Sequence, residues 1–204
     1  MTQQVRSEMP TAENSTNFNI VPDSQTEVGT SLDNLKAAVT GETGASAKYT
    51  AFAKFAEEQG YTQLANLWKA TAAAEQFHIA MEYALIQQED PDWEKPTATH
   101  DSGTHLDLDL INSAYGEMYE TSDMYPSFIK KAQEEGNTAA EFVFTRAKLA
   151  EAYHAERYLN AYNNIDNPDN EQYYLCPICG YIHKGDDFIK CPICFTPKEK
   201  FHVY

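Results

Sequence analysis

The chain has 204 residues, 42% of them apolar, and its 31 acidic against 15 basic side chains leave a net charge of −16. That length holds one domain plus a small appendage. So acidic a chain repels phosphate backbones and anionic lipid headgroups, which argues against nucleic-acid and membrane-surface partners. No apolar run approaches the ~20 residues that span a bilayer, and no basic-then-apolar leader opens the chain, so a cytoplasmic location is expected.

Residues 1–30 are polar and without sustained periodicity; they read as a mobile tail in which Phe18, Ile20 and Val21 are candidates for docking. From Ser31 to Asp90 there is no proline, and apolar residues recur at helical spacing. Gly60, followed by Tyr61-Thr62, predicts two helices of about 28 residues each. Residues 91–105 have the composition of a loop, and a second helical stretch runs from about Leu106 to Asn164, divided at Gly136-Asn137-Thr138. The alternating Leu-Asp run at 106–110 fits either a strand or an acidic first turn at the positive end of a helix. After Asn167-Pro168 the composition shifts to Tyr, Cys, Ile, Pro and Lys. Three units are therefore expected: a tail (1–30), a helical bundle (31–166) and a small domain (167–204) too short to fold reliably on an apolar core alone.

The helical part repeats itself. Phe52–His78 aligns with Phe128–His154 at a shift of 76 without gaps, and nine of 27 positions are identical, among them Gly60/Gly136, Glu75/Glu151 and His78/His154. Tyr49 pairs with Tyr125 at that shift, but Gly41-Glu42 and Gly116-Glu117 are related by a shift of 75. The second half thus carries one extra residue between Glu117 and Tyr125. A π-bulge absorbs such an insertion most simply, and Pro126 lies just beyond it, where a missing N–H is tolerated. Two related helix pairs make a four-helix bundle.

The chemistry sits where a core should be. Leu64, Leu67, Thr71, Ala74, Met81 and Leu85 mark the apolar stripe of the second helix, and Glu75 and His78 fall on it. In the fourth helix Glu151 and His154 share the stripe of Phe144, Ala147, Ala150 and Tyr158. Glu42 shares a face with Leu35, Ala38, Tyr49 and Phe52; Glu117 and Glu120 share one with Leu110, Ala114, Tyr125 and Phe128. Five inward glutamates at one level must be protonated, paired or metal-bound. No Lys or Arg lies on those stripes near that level, so two divalent ions compensate the charge most simply. One Glu from each of two helices plus Glu-x-x-His from each of the others is the pattern of dimetal carboxylate bundles. A lone Glu-x-x-His is weak; two copies in register are specific.

Cys176-Pro-Ile-Cys179 and Cys191-Pro-Ile-Cys194 form two C-x-x-C knuckles eleven residues apart. Clustered thiols in a chain without a leader read as a metal site rather than disulfides. Spacing alone leaves zinc and iron open. A one-electron iron centre gains weight because it is tethered to a dimetal site. Gly180 can bring backbone N–H groups to sulfur. His100, His105, His183 and His202 read as surface residues and Trp68 as core.

At these residues the chain resembles the rubrerythrin family. The resemblance covers about residues 31–204 and rests on GETGASAKYT, AEQFH, GEMYETSDMYP, LAEAYH, CPICGYIH and CPIC. It implies a mainly α fold: a ferritin-like four-helix bundle followed by a small rubredoxin-like domain. It implies two Fe ions held by Glu42, Glu75, His78, Glu117, Glu120, Glu151 and His154. A further Fe, with zinc as the other candidate, is implied at Cys176, Cys179, Cys191 and Cys194. In the family pattern Glu75 and Glu151 bridge, Glu117 and His154 serve one iron, and Glu42 serves the other. That second iron moves between Glu120 when oxidised and His78 when reduced. Tyr49 and Tyr125 match tyrosines beside the ligands, so Glu120, His78, Tyr49 and Tyr125 are the residues expected to act in the reaction. The N-terminal extension and an altered loop between the second and third helices depart from the pattern without touching a ligand.

The implied activity is a peroxidase of oxidative-stress defence, reducing hydrogen peroxide to water. The four-cysteine iron re-reduces the di-iron site, fed by rubredoxin or an NAD(P)H-dependent reductase. A bundle about 40 Å long can leave the small domain far from its own di-iron site, so a head-to-tail or segment-swapped homodimer is expected. A ferroxidase or iron-storage protein is the alternative, although storage needs no reductive input. A zinc-ribbon adaptor leaves the inward glutamates unexplained.

Overall fold

The structure is a computed structural model and describes residues 24–204. Phe18, Ile20, Val21 and most of the expected tail lie outside the described residues. Residues 24–30 run without helix or strand, and the Gln25 N–H donates to Asp123 Oδ2 (3.0 Å).

Helix α1 spans Ser31–Glu58; Thr30 caps it, accepting from the Asp33 N–H while the Asp33 carboxylate accepts from the Thr30 N–H. Gly60 turns the chain at φ +80°, and α2 follows over Thr62–Glu89. Such a short connection makes α1 and α2 an antiparallel hairpin. Helix α3 covers Leu106–Tyr119 with Asp107 and Asp109 in its first turn, so the Leu-Asp run is a helix start. It passes without a break through a π-helical turn, Glu120–Met124, into α4, Tyr125–Glu135. The residue inserted in the second repeat is absorbed there, and Pro126 sits in the first turn of α4, just past the π-helical turn. Gly136 closes α4 in the left-handed region (φ +68°), and Asn137 caps α5, Thr138–Asn163, accepting from the Ala140 N–H at 3.0 Å.

The bundle core is divided. Tyr49, Phe52, Leu67, Trp68, Leu110 and Tyr158 pack in one apolar cluster, and Leu35, Ile79, Ile86, Phe128 and Phe144 in another. The inward carboxylates lie between them. The stripe of α2 differs from the expected one in its last two turns: Met81 and Leu85 are half-buried, whereas Glu82 and Ile86 are fully buried. Across 28 residues the small rotation by which a helix departs from a fixed sequence spacing moves the inward face by about one position.

The small domain is a three-stranded antiparallel sheet ordered β2-β1-β3, with β1 Tyr173–Leu175, β2 Ile182–Lys184 and β3 His202–Val203. Tyr173, Leu175 and Ile182 pack into the bundle's own apolar cluster. Tyr181 sets its ring edge-on to Tyr153 of α5 at 4.6 Å, and Arg157 Nε donates to the Ile182 carbonyl at 3.2 Å. The domain therefore rests on the bundle of its own chain, across α2 and α5.

Candidate metal centres

Glu42, Glu75, His78, Glu117, Glu151 and His154 are all fully buried. Their ligand atoms form two groups, each within 4.8 Å: Glu42, Glu75, His78 and Glu151, and then Glu75, Glu117, Glu151 and His154. Glu75 and Glu151 belong to both, which is the geometry of carboxylates shared by two cations. His78 Nδ1 lies 2.6 Å from Glu151 Oε1 and 3.2 Å from Glu75 Oε2. His154 Nδ1 lies 2.6 Å from Glu151 Oε2 and 3.3 Å from Glu117 Oε2.

The far side of each imidazole decides what these nitrogens are for. His78 Nε2 donates to the Cys179 carbonyl at 3.1 Å, and His154 Nε2 to the Gly180 carbonyl at 2.7 Å. A carbonyl can only accept, so Nε2 carries a proton, and with a metal bound each ring is neutral and presents its Nδ1 lone pair inward. Glu42 Oε2, both oxygens of Glu75 and of Glu151, and His78 Nδ1 have no hydrogen-bond partner among the described residues. Carboxylates converging in a dry interior need positive charge between them, which two metal cations supply.

Each terminal carboxylate is held by a tyrosine from the opposite repeat: Tyr49 donates to Glu117, and Tyr125 to Glu42. Left to the protein's own charges, burial and then the neighbouring carboxylates push Glu42, Glu117 and Glu120 well above the ordinary range. Burial would raise Glu151 too, but His78 and His154 on either side of it outweigh that and hold it low.

The four cysteines are free thiols whose sulfurs lie within 4.8 Å of one another, with Cys176–Cys194 and Cys179–Cys191 both 3.4 Å apart. A tetrahedral metal at ~2.3 Å from each sulfur asks for edges close to these. The knuckles repeat each other's bonds. Gly180 N–H donates to the Cys176 carbonyl and Phe195 N–H to that of Cys191, both at 3.1 Å.

The rubrerythrin family profile matches residues 33–162, and that of the rubrerythrin rubredoxin-like domain matches residues 174–202. The chain belongs to the rubrerythrin family. It is 65% identical to nigerythrin of Nitratidesulfovibrio vulgaris over 98% of this chain and 100% of that one. It is 31% identical to a rubrerythrin of the same organism, over 83% of this chain and 92% of the relative. Among solved structures, "Fully reduced state of nigerythrin (all ferrous)" superposes with a TM-score of 0.91 at 64% identity, covering 100% of both chains. As a rubrerythrin-family protein the chain has a di-iron carboxylate site and a four-cysteine rubredoxin-like site, and the ferrous relatives fit iron in them.

Within that frame the structure sorts the expected residues. Glu120, on the π-helical turn, is 9% exposed and belongs to neither ligand group; His78 occupies the position facing Glu42. The helix stripes placed no cation near this level, yet the charge of half-buried Lys48 opposes the rise of the Glu120 carboxyl. A long side chain reaches a level that its Cα position does not indicate. Gly180 has a further purpose beyond the one its sequence suggests. It sits at φ +75°, where an added Cβ would lie 2.5 Å from His78 Nε2, so glycine is what lets the knuckle touch the histidine. The small domain is not remote from its own di-iron site: it contacts both histidines.

Sequence reasoning missed Glu82. It is fully buried, four residues beyond His78 and seven beyond Glu75, on the same face of α2, and its Oε1 lies 3.0 Å from Tyr125 Oη. The i, i+3, i+7 spacing of Glu75, His78 and Glu82 is legible; the neighbouring Met81 and Leu85 drew the apolar stripe one residue away from it.

Proposed function

We propose that the chain is a peroxidase that reduces hydrogen peroxide to water at the di-iron site and is re-reduced through the four-cysteine centre. The observation that carries this reading is the pair of hydrogen bonds, 3.1 and 2.7 Å, from His78 and His154 to the carbonyls of Cys179 and Gly180. Each joins a residue on the metal pocket to a knuckle of the thiolate site with no solvent between. Iron storage has no use for such a connection. Related nigerythrin structures represent fully reduced, mixed-valence and partially reduced states of that protein, which supports a site that changes oxidation state.

When bound, two ferrous ions supply one electron each and polarise the peroxide oxygens. The overall conversion is H₂O₂ + 2 e⁻ + 2 H⁺ → 2 H₂O. The chain's residues hold that chemistry in place. Cys179 and Gly180 fix the histidine tautomers, so that His78 and His154 keep their Nδ1 lone pairs inward. Tyr49 and Tyr125 orient Glu117 and Glu42 and can pass protons to them. The buried carboxylate shell excludes bulk water. Glu120, the most exposed of the candidate ligands, is the group we assign to exchange with His78 as the site is oxidised, since an anion suits the more highly charged iron. Tyr49, Tyr125, His78 and Glu120 are the residues on which turnover depends.

The same reading places the protein in oxidative-stress defence in the cytoplasm. It takes electrons from rubredoxin or an NAD(P)H-dependent reductase and acts as a homodimer. Because the small domain rests on its own bundle, exchange of segments is not required for electron transfer. Among the described residues no helix is long and apolar enough to cross a membrane.

The test is anaerobic. The fully reduced protein is mixed with one equivalent of H₂O₂ while the visible thiolate-to-iron absorption is followed. Return of the colour with loss of peroxide supports the proposal. Absence of colour, or colour that stays bleached while iron is oxidised, turns the reading to iron handling.

A further inference from the structure

Beyond the five candidate ligand glutamates the pocket holds a sixth carboxyl, which neither ligand group uses. Glu82 is fully buried; its Oε1 is 3.0 Å from Tyr125 Oη, and its Oε2 has no hydrogen-bond partner among the described residues. Tyr125 Oη is also within hydrogen-bond distance of Glu42 Oε1. A phenol has one proton and cannot donate to two carboxylates. With both glutamates ionised, one carboxylate oxygen would face the lone pairs of the phenol. Glu42 is in a ligand group and has reason to be ionised; Glu82 is in neither. The proton count closes when Glu82 is the un-ionised acid, donating from Oε1 to Tyr125, whose own proton then goes to Glu42.

The surroundings agree. No lysine or arginine makes an ion pair with Glu82 among the described residues. The groups that act on it are Tyr125 of α4, His78 and Glu75 of its own helix, and Glu151 of α5, and burial raises its carboxyl to about 8. The repeat shows that this acid is one-sided. The position equivalent to Glu82 at the shift of 76 is Tyr158. Tyr49 accordingly has the Tyr158 ring beside it at 5.5 Å and donates to Glu117. The extra acid therefore stands only on the half that holds Glu42 and His78.

We propose that Glu82 is the proton reservoir of the site, an un-ionised acid that gives its proton to Tyr125 as Tyr125 passes its own toward Glu42. The use of that proton rests on the peroxidase reading; its presence on Glu82 does not. Reduction of one H₂O₂ takes two electrons from the reduced di-iron site and two protons. The Glu82 O–H bond breaks, the Tyr125 O–H bond is remade, and a Glu82 carboxylate is left; the second proton comes from solvent. Glu82 is reprotonated from solvent when the site is reduced again. Glu82 acts through Tyr125 and is a positioning residue rather than a catalytic one.

Infrared spectroscopy of the reduced holoprotein tests this. Of the five ligand-type glutamates, Glu42, Glu75, Glu117 and Glu151 are ionised on iron in the reduced protein and Glu120→Ala removes the fifth, so a buried carboxylic-acid carbonyl band that persists in Glu120→Ala and shifts in deuterated water should come from Glu82. It should vanish in Glu82→Gln, which has the shape of the neutral acid and should keep its iron. It should shift but persist in Tyr125→Phe, and bleach when one equivalent of H₂O₂ is added to the parent. Glu82→Gln should also consume peroxide roughly 10²-fold more slowly. Absence of that band, or its survival in Glu82→Gln, overturns the assignment. A band that stays while peroxide is consumed overturns the relay. A band in a parent protein that leaves peroxide untouched supports the protonated Glu82 and refutes the peroxidase reading, and the relay with it.

Discussion

Gly180→Ala is the most direct probe of the contact between the two metal centres. The residue sits at φ +75°, and an added Cβ would meet His78 Nε2 at 2.5 Å, His78 Cε1 at 3.2 Å and Ala74 Cβ at 3.3 Å. The left-handed conformation costs an L-residue about 1–2 kcal/mol. Relieving the clash moves the knuckle back by roughly 1 Å, which stretches the bonds to Cys179 and Gly180; each buried hydrogen bond left unmade costs about 1–3 kcal/mol. The expected loss is about 3 kcal/mol or more, a large part of the ~5–15 kcal/mol that holds a domain folded. Chemical denaturation of the iron-loaded protein measures it. Stopped-flow reoxidation of the four-cysteine site by peroxide should slow in parallel. Phe195 is the control: it holds the equivalent place in the second knuckle at φ +62° but is 65% exposed. Phe195→Gly should change stability by less than about 1 kcal/mol and leave reoxidation unchanged. If Gly180→Ala is as stable and as rapidly reoxidised as the parent, the knuckle does not make this contact and the electron route drawn from it is wrong.

Four further outcomes are expected. Glu120→Ala should reduce peroxide turnover roughly 10- to 100-fold while iron uptake, followed by metal analysis, persists. Cys176→Ser should abolish turnover supported by a reductase, yet a chemically reduced sample should still oxidise once with peroxide. In the metal-free protein the raised carboxyls Glu42, Glu117 and Glu120 bind protons more tightly folded than unfolded. Stability should therefore fall as pH rises above the ordinary carboxylate range, and the raised His78 and His154 lose their contribution in the same direction at higher pH. Melting temperatures against pH, with and without iron, should diverge most at the alkaline end. Trp68→Ala removes a fully buried ring and its 2.9 Å bond to Ser113 Oγ; a loss of about 3–5 kcal/mol is expected in the same denaturation assay.

The covalent order of this chain determined a great deal by itself. Helical spacing without proline laid out α1 and α2, and the shift from 75 to 76 between the repeats located the π-helical turn before any coordinate did, because an inserted residue must be absorbed within the helix that receives it. Glutamates on apolar stripes marked the pocket, since a buried carboxylate cannot stand without compensation. Other features depend on how helices and side chains meet in space. Glu82 became an inward residue only once the rotation of α2 over its last two turns was fixed. Lys48 influences Glu120 by the reach of a long side chain, which its place on α1 does not reveal. Gly180 reads as a knuckle glycine in the sequence, and only the docking of the small domain on its own bundle shows that it must also leave room for His78. Local spacing fixes which face a residue shares with its near neighbours; contacts such as Cys179–His78, 101 residues apart, are set by the packing of one element on another.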